Sequence, residues 1–259
     1  LSNANTTYSG NTIISAGTLQ LGLDNVIPSG AGAGDVTANS TLDLNGHNLT
    51  INGLNGAGGV DTFAGGAATL TIGANGNNGN FTGNIANSAG TLSVVKIGAG
   101  TQTLSGICTY SGSTVLAGGA LNFNPAAFVP AIPGPFVVSN SVFGVDATAA
   151  VTLTIGNLAL GDNATNSITY GTLSANPTVP AITLNGSLTA PGTNIIITFT
   201  ALGLKSGTFP LIKYTGTTLP NLSNFTLAAP LGVVATLANN TGNHSIDINI
   251  TVDGGLTNA

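Results

Sequence analysis

Apolar and polar residues alternate with period two in short segments along the chain: Thr18-Leu19-Gln20-Leu21, Thr41-Leu42-Asp43-Leu44, Thr69-Leu70-Thr71-Ile72 and Thr91-Leu92-Ser93-Val94. In each, Leu, Ile or Val points to one side of an extended backbone and Thr, Gln, Asp or Ser to the other, the pattern of a half-buried β-strand. The leucines recur about every 22 to 28 residues, which suits one turn of a β-solenoid better than a hairpin meander. Strands stacked about 4.8 Å apart would gather their aliphatic side chains into internal columns. Each fully buried Leu, Ile or Val then contributes roughly 1.5 to 3 kcal/mol relative to exposure. Asn45-Gly46, Asn52-Gly53, Asn55-Gly56 and Asn75-Gly76 supply the positive-φ conformations of tight corners. The same pairs suit hairpins, so an antiparallel β-sandwich stands as the alternative.

The chain also repeats itself. Thr7-Tyr8-Ser9-Gly10-Asn11-Thr12 aligns with Thr109-Tyr110-Ser111-Gly112-Ser113-Thr114, and Ser15 to Leu21 aligns with Ala117 to Phe123. Leu1-Ser2 corresponds to Leu104-Ser105, so the chain is expected to begin inside a repeat unit. A Pro-rich stretch divides the sequence, and proline removes ladder donors. The expected organisation is a repeat-bearing β-helix over residues 1–124, a kink or loop over 125–137, and further coils with a C-terminal cap over 138–259. Alternation returns beyond the prolines in Val151 to Ile155, Asn194 to Phe199 and Ile246 to Val252.

These residues resemble a known family. Leu42-Asp43-Leu44-Asn45-Gly46, Ile51-Asn52-Gly53-Leu54, Gly56-Ala57-Gly58-Gly59, Phe81-Thr82-Gly83-Asn84-Ile85, Lys96-Ile97-Gly98-Ala99-Gly100-Thr101-Gln102-Thr103-Leu104-Ser105-Gly106 and Tyr110-Ser111-Gly112 look like the autotransporter-associated β-strand repeat, also called the passenger-associated transport repeat. The resemblance covers about residues 1 to 124. It implies a right-handed parallel β-helix exported to the surface of a Gram-negative-type bacterium, and it does not imply an enzyme. No membrane β-barrel follows in this sequence and no sorting signal is visible after Asp253-Gly254-Gly255, so processing or another export route is expected.

Composition narrows the partners. Of 259 residues only 4% are charged; there are three lysines, Lys96, Lys205 and Lys213, eight aspartates, and no Arg, Glu, Met or Trp. A basic nucleic-acid footprint is excluded. No apolar run reaches the roughly 18 residues of a membrane span. A net charge of -5 spread so thinly gives little electrostatic repulsion between copies. Self-association is the first partnership expected, with extracellular polysaccharide second, held by shallow rows of Thr, Ser and Asn.

Candidate chemistry is sparse. A β-helix enzyme acting on polysaccharide needs clustered acids and bases. The best constellation is Asp43 and Asp61, on adjacent coils, with His47 near Asp43. The plainer reading makes Asp43 a solvated strand residue and His47 part of an Asn-Gly turn. His47 and His244 are too far apart in sequence for a zinc motif. Gly32-Ala33-Gly34-Asp35 hints at a calcium-binding glycine repeat but does not recur, so a turn is expected. Gly58-Gly59 and Gly65-Gly66 lack the strand-to-helix setting of a phosphate loop. Cys108 has no partner for an internal disulfide and reads as a small, semi-buried residue, with intermolecular pairing as the other use. Asn5, Asn48, Asn80 and Asn224 open sequons that this composition generates by chance. The expectation is a non-enzymatic extracellular protein that associates into a fibre, sheath or surface layer, without catalytic, cofactor or metal residues. The alternatives are an adhesin passenger binding glycans or cells, and a carbohydrate-active enzyme.

Overall fold

The computed structural model describes residues 1–3, 6–124, 131–147, 151–216 and 220–254. Asn5 and residues 125–130 of the Pro-rich stretch lie outside the described residues. Within that stretch Ala131–Ile132 and Phe136–Val138 are strands. Among the described residues, secondary structure is β throughout, with one 3-10 turn at Leu222–Asn224 and no α-helix. The chain divides into two compact units, Leu1–Asn122 with Ile132–Gly134, and Phe123–Ala131 with Pro135–Ala259.

The first unit is a parallel β-solenoid. Thr12–Ile14, Val36–Ala38 and Leu54–Asn55 stack in parallel on one face. Thr18–Gln20, Thr41–Asp43, Gly59–Asp61 and Asn84–Ile85 stack on the next. Leu49–Ile51, Ala67–Ile72, Thr91–Lys96 and Thr114–Leu116 form a third. Such pairing satisfies every strand from the coils beside it and turns period-two alternation into columns. One column runs Leu19, Leu42, Val60, Ile85 and continues to Cys108 through an isolated bridge. Another runs Ile51, Ile72, Lys96, Leu116. The parallel ladders exclude the sandwich alternative.

The observed register corrects the expected period. Leu42 stacks on Val60 of the next coil, not on Leu70, which stacks on Leu49 of a different face. The four Thr-Leu segments therefore lie on two faces, and the spacing of about 28 between Leu42 and Leu70 joins strands that never pair. Where the corner is short, the coil is shorter too, as in Thr41 on Gly59.

Glycine columns permit this close stacking at one corner. A Cβ on Gly83 would overlap the carbonyl oxygen of Gly58, and a Cβ on Gly106 that of Gly83. Three successive coils thus pass a position where backbone lies against backbone.

The second unit repeats the parallel scheme with longer coils. Val142–Asp146, Thr165–Thr172, Ile195–Leu202 and Phe225–Ala228 pair in that order, and Leu153–Ile155 pairs with Ile182–Leu184 and then Gly207–Lys213. Phe123, Phe136 and Phe143 pack with ring centroids 5.4 to 6.0 Å apart, the tilted and edge-on geometry that aromatic quadrupoles favour. The last ladder changes direction: Ser245–Asp253 runs antiparallel to both Gly207–Lys213 and Val233–Asn240. Pro210 is accommodated where that ladder slips register, between Pro210 and Ile212, as a residue without an N–H must be.

Candidate functional site

The carboxylates mark where polar chemistry could gather, so their surroundings decide what the corners can do. Asp43 and Asp61 occupy register-matched positions on adjacent coils, as expected. Asp43 is not solvated, however; it is buried. Its Oδ1 accepts from the amides of Asn45 at 2.8 Å and Phe63 at 3.1 Å, and its Oδ2 from Gln20 Nε2 at 2.7 Å. Asp61 accepts from the amides of Thr62 and Ser88 and from the Ser88 hydroxyl, each at 2.7 Å. His47 does not join them. Its Nδ1 lies 3.1 Å from Asp24 Oδ1, and the same oxygen accepts the amide of Asn48 at 3.0 Å. That amide first, and the imidazole beside it, lower the Asp24 pKa from its ordinary value, because both favour the ionised form. The histidine's partner, Asp24, was not singled out in the sequence; nothing but the coil register brings residues 24 and 47 together.

A common geometry underlies these contacts. An Asn or Asp oxygen at a corner accepts a backbone N–H from the next coil: Asn25 from Thr50, Asn48 from Thr69, Asn55 from Asn80, Asn78 from Thr101, Asn87 from Ser111 and Asn157 from Ser187, at 2.6 to 3.0 Å. Corners break the strand ladder and would leave those donors unpaired. In the second unit Asn140, Asn163 and Asn194, all left-handed with φ between 49° and 55°, form a side-chain ladder. Asn163 Nδ2 donates to Asn140 Oδ1 at 2.9 Å, and Asn194 Nδ2 to Asn163 Oδ1 at 3.0 Å.

The supposed calcium turn is built the same way. Asn52 is buried, and its Nδ2 donates to the carbonyls of Gly30, Ala33 and Gly34 at 2.8 to 3.2 Å. Asp35 accepts the Gly53 amide at 2.9 Å. An amide thus holds the carbonyl cluster together. Among the described residues no three His, Cys, Asp or Glu side chains are grouped so as to hold a metal, and no helix is long and apolar enough to cross a membrane.

Two polar residues and the cysteine occupy inward positions: Lys96 and Gln102 keep the phase of the buried Val94 and Leu104 despite their polarity. Lys96 sits in an aliphatic column, its Nζ donating to the carbonyls of Ile97, Gly98 and Gly118 at 2.6 to 3.4 Å, and burial lowers its pKa. Gln102 points inward past Gly79, on which its strand is registered, and reaches Leu54 one coil further. It exchanges hydrogen bonds of 3.0 and 2.8 Å with the Leu54 amide and carbonyl. A Cβ on Gly79 would overlap the Gln102 Oε1, so the glycine and glutamine act together. Cys108 is buried, and burial pushes its thiol up to about 12, which leaves it protonated and unreactive at neutral pH.

The two repeat copies share a local contact. Tyr8 bonds Thr12 at 2.6 Å on the surface, and Tyr110 bonds Thr114 at 2.7 Å in the interior. In both, the hydroxyl pair fixes the entry into a strand, Thr12–Ile14 or Thr114–Leu116.

Each unit is therefore a parallel β-solenoid whose corners are closed by Asn, Asp and Gly. The passenger-associated transport repeat matches residues 1–21 and 94–123, the two places where the Tyr-Thr pair recurs. Over 124 residues the sequence is 40% identical to the adhesin BmaC autotransporter of Brucella suis biovar 1 (strain 1330), a stretch that is 47% of this chain and 4% of that relative. The chain spans a small fraction of the relative's length.

Proposed function

We propose that this chain is a non-catalytic scaffold segment of an autotransporter-type passenger, displayed outside a Gram-negative-type bacterium, which carries adhesive regions at a distance from the cell. The observation that carries this reading is the use of the polar residues. Asp24, Asp35, Asp43, Asp61 and Asp162 each accept amides from a neighbouring coil or turn, so the acids that could serve catalysis are engaged in holding coils together. The relative's name supports the adhesive context. Replacing this segment in its parent protein by an unrelated β-solenoid of equal length tests the reading: a scaffold keeps adhesion, and loss of adhesion with surface display intact would refute it.

Self-association into a fibre or layer is a second reading, favoured by the edge strand Val233–Asn240. It pairs on one side only within its ladder, carries no charge and leaves Val234 exposed. Edges of that kind template pairing with another chain. Electron microscopy and sedimentation across a wide concentration range test it. Filaments that disperse in Thr236→Lys support it, and monodisperse particles at every concentration overturn it.

A further inference from the structure

The sequence holds six Asn-Gly pairs. In five of them, all in the first unit, the asparagine side chain is tied down. Asn45 donates to the Leu21 carbonyl and Asn52 to three carbonyls. Asn55 and Asn78 accept amides of the next coil, and Asn75 accepts the Asn77 amide at 2.9 Å. The sixth pair, Asn185-Gly186, follows the strand Ile182–Leu184 in the second unit. Asn185 is exposed. Among the described residues, neither its side chain nor the Gly186 amide has a hydrogen-bond partner. This corner asparagine therefore does not serve a neighbouring coil as the others do.

The backbone around the pair is nonetheless fixed. The Asn185 amide donates to the Ile155 carbonyl at 2.9 Å and the Ser187 amide to Asn157 Oδ1 at 2.7 Å, while the Gly186 carbonyl accepts the amides of Thr215 and Gly216 at 3.1 and 3.2 Å. A Cβ at position 186 would overlap Asn157 Oδ1, so packing requires glycine there. Glycine is also the residue that shields its own amide nitrogen least, having no Cβ. The fold thus sets an uncrowded, unbonded nitrogen directly after an asparagine whose carboxamide is free to turn toward it. Adjacency in the chain makes attack of one on the other an intramolecular step, with the entropy of approach already met.

We propose that Asn185 is a self-modification site of the folded chain. The Gly186 nitrogen gives its proton to solvent base and bonds to Asn185 Cγ. The Cγ–Nδ2 bond breaks, and Nδ2 leaves as ammonia with a proton from water. Water then opens the cyclic imide on one of its two sides. Cleavage between Cγ and the nitrogen leaves an aspartate; cleavage at the Asn185 main-chain carbonyl leaves an isoaspartate, whose backbone is one carbon longer. One water enters, one ammonia departs, and no oxidant or cofactor is required. Either product adds a negative charge to a chain with eight aspartates. The isoaspartate also lengthens the path between the anchored Asn185 amide and the Gly186 carbonyl held by Thr215 and Gly216. The inference does not depend on the scaffold reading, which the segment-replacement experiment tests separately.

Peptide mapping by mass spectrometry on the whole chain, aged in mildly alkaline buffer with and without urea, tests it, and labelling by an isoaspartyl methyltransferase gives a second readout. In the folded chain Asn185 should convert roughly tenfold faster than Asn45, Asn52 or Asn75, each of which must first release a hydrogen-bond partner. In urea the rates should converge, because every site then presents the same Asn-Gly chemistry. Asn185→Gln, which would have to close a larger ring, should remove the labelling of the folded chain while leaving the urea midpoint unchanged, because the side chain holds nothing in place. Conversion at Asn185 no faster than at the tied pairs would overturn the proposal. So would undiminished labelling in Asn185→Gln, or rates that stay equally far apart in urea, which would trace the preference to sequence and not to the fold. A lowered midpoint in Asn185→Gln would also overturn it by revealing a partner for the side chain.

Discussion

Replacing Asn163 separates the two physical roles of a corner asparagine. Its φ of 52° is left-handed, a conformation that costs an L-residue with an ordinary Cβ roughly 1–2 kcal/mol and that Asn tolerates. Its side chain also holds both rungs of the ladder to Asn140 and Asn194. The net value of a hydrogen bond is about 0.5–1.5 kcal/mol, and these are exposed, so the low end applies and the two rungs together contribute about 1 kcal/mol. Asn163→Ala forfeits both contributions and should cost about 2–3 kcal/mol. Asn163→Gly relieves the backbone while losing the rungs and gaining freedom in the unfolded chain, and should cost about 1 kcal/mol less than alanine. Urea unfolding followed by far-ultraviolet circular dichroism measures both. A double-mutant cycle with Asn140→Gly isolates the rung, with an expected coupling of about 0.5 kcal/mol. Alanine no worse than glycine would refute the backbone argument, and a coupling indistinguishable from zero would refute the ladder.

Three further outcomes follow from the packing. Leu42→Ala opens the column between Leu19 and Val60 and should cost about 2–5 kcal/mol, whereas Leu231→Ala, at a side chain 99% exposed, should stay within about 0.5 kcal/mol in the same urea titration. Gly106→Ala forces a methyl into the Gly83 carbonyl and should abolish the soluble folded form, while Gly10→Ala, with open space around it, should express and melt like the parent. Cys108 should resist thiol reagents at pH 8 until urea unfolds the chain. Its folded pKa of about 12 lies above the ordinary 9.0, so its contribution to stability is fully present below pH 9 and is lost as pH rises from 9 to 12. The fall in the urea midpoint over that window should be shallower in Cys108→Ala; an identical slope would show that the thiol is not held protonated by the fold.

The parallel solenoid was legible because strand alternation and Asn-Gly corners each have a local cause. Residues such as Leu42 and Leu92 declare themselves core without reference to any other part of the chain. Coil length was not legible, because Leu70 carries the same local pattern as Leu42 on a different face; only register distinguishes them. The polar residues were harder still. Asp43 and Gln102 sit at positions that alternation or polarity alone assigns to solvent, and their burial depends on amides contributed by Phe63 and Leu54. The pairing of His47 with Asp24 is likewise a property of neighbouring coils, which no single segment encodes. A glycine such as Gly79 opposite an inward glutamine is the one signal that could have been sought.

The corner hydrogen bonds also bear on how the protein ages. Asn-Gly pairs deamidate readily when the glycine amide is free to attack the asparagine side chain and close a succinimide ring. At three of these pairs the attacking nitrogen is occupied: Gly46 donates to the Thr62 hydroxyl at 2.9 Å, Gly53 to Asp35 at 2.9 Å, and Gly76 to the Gly73 carbonyl at 3.0 Å. At Asn52 the departing amide is itself anchored to three carbonyls. At those three corners the contacts that set the coil geometry therefore also slow the spontaneous chemistry to which an asparagine-rich chain is most exposed, and the corners keep their charge and their shape for as long as the coils stay closed.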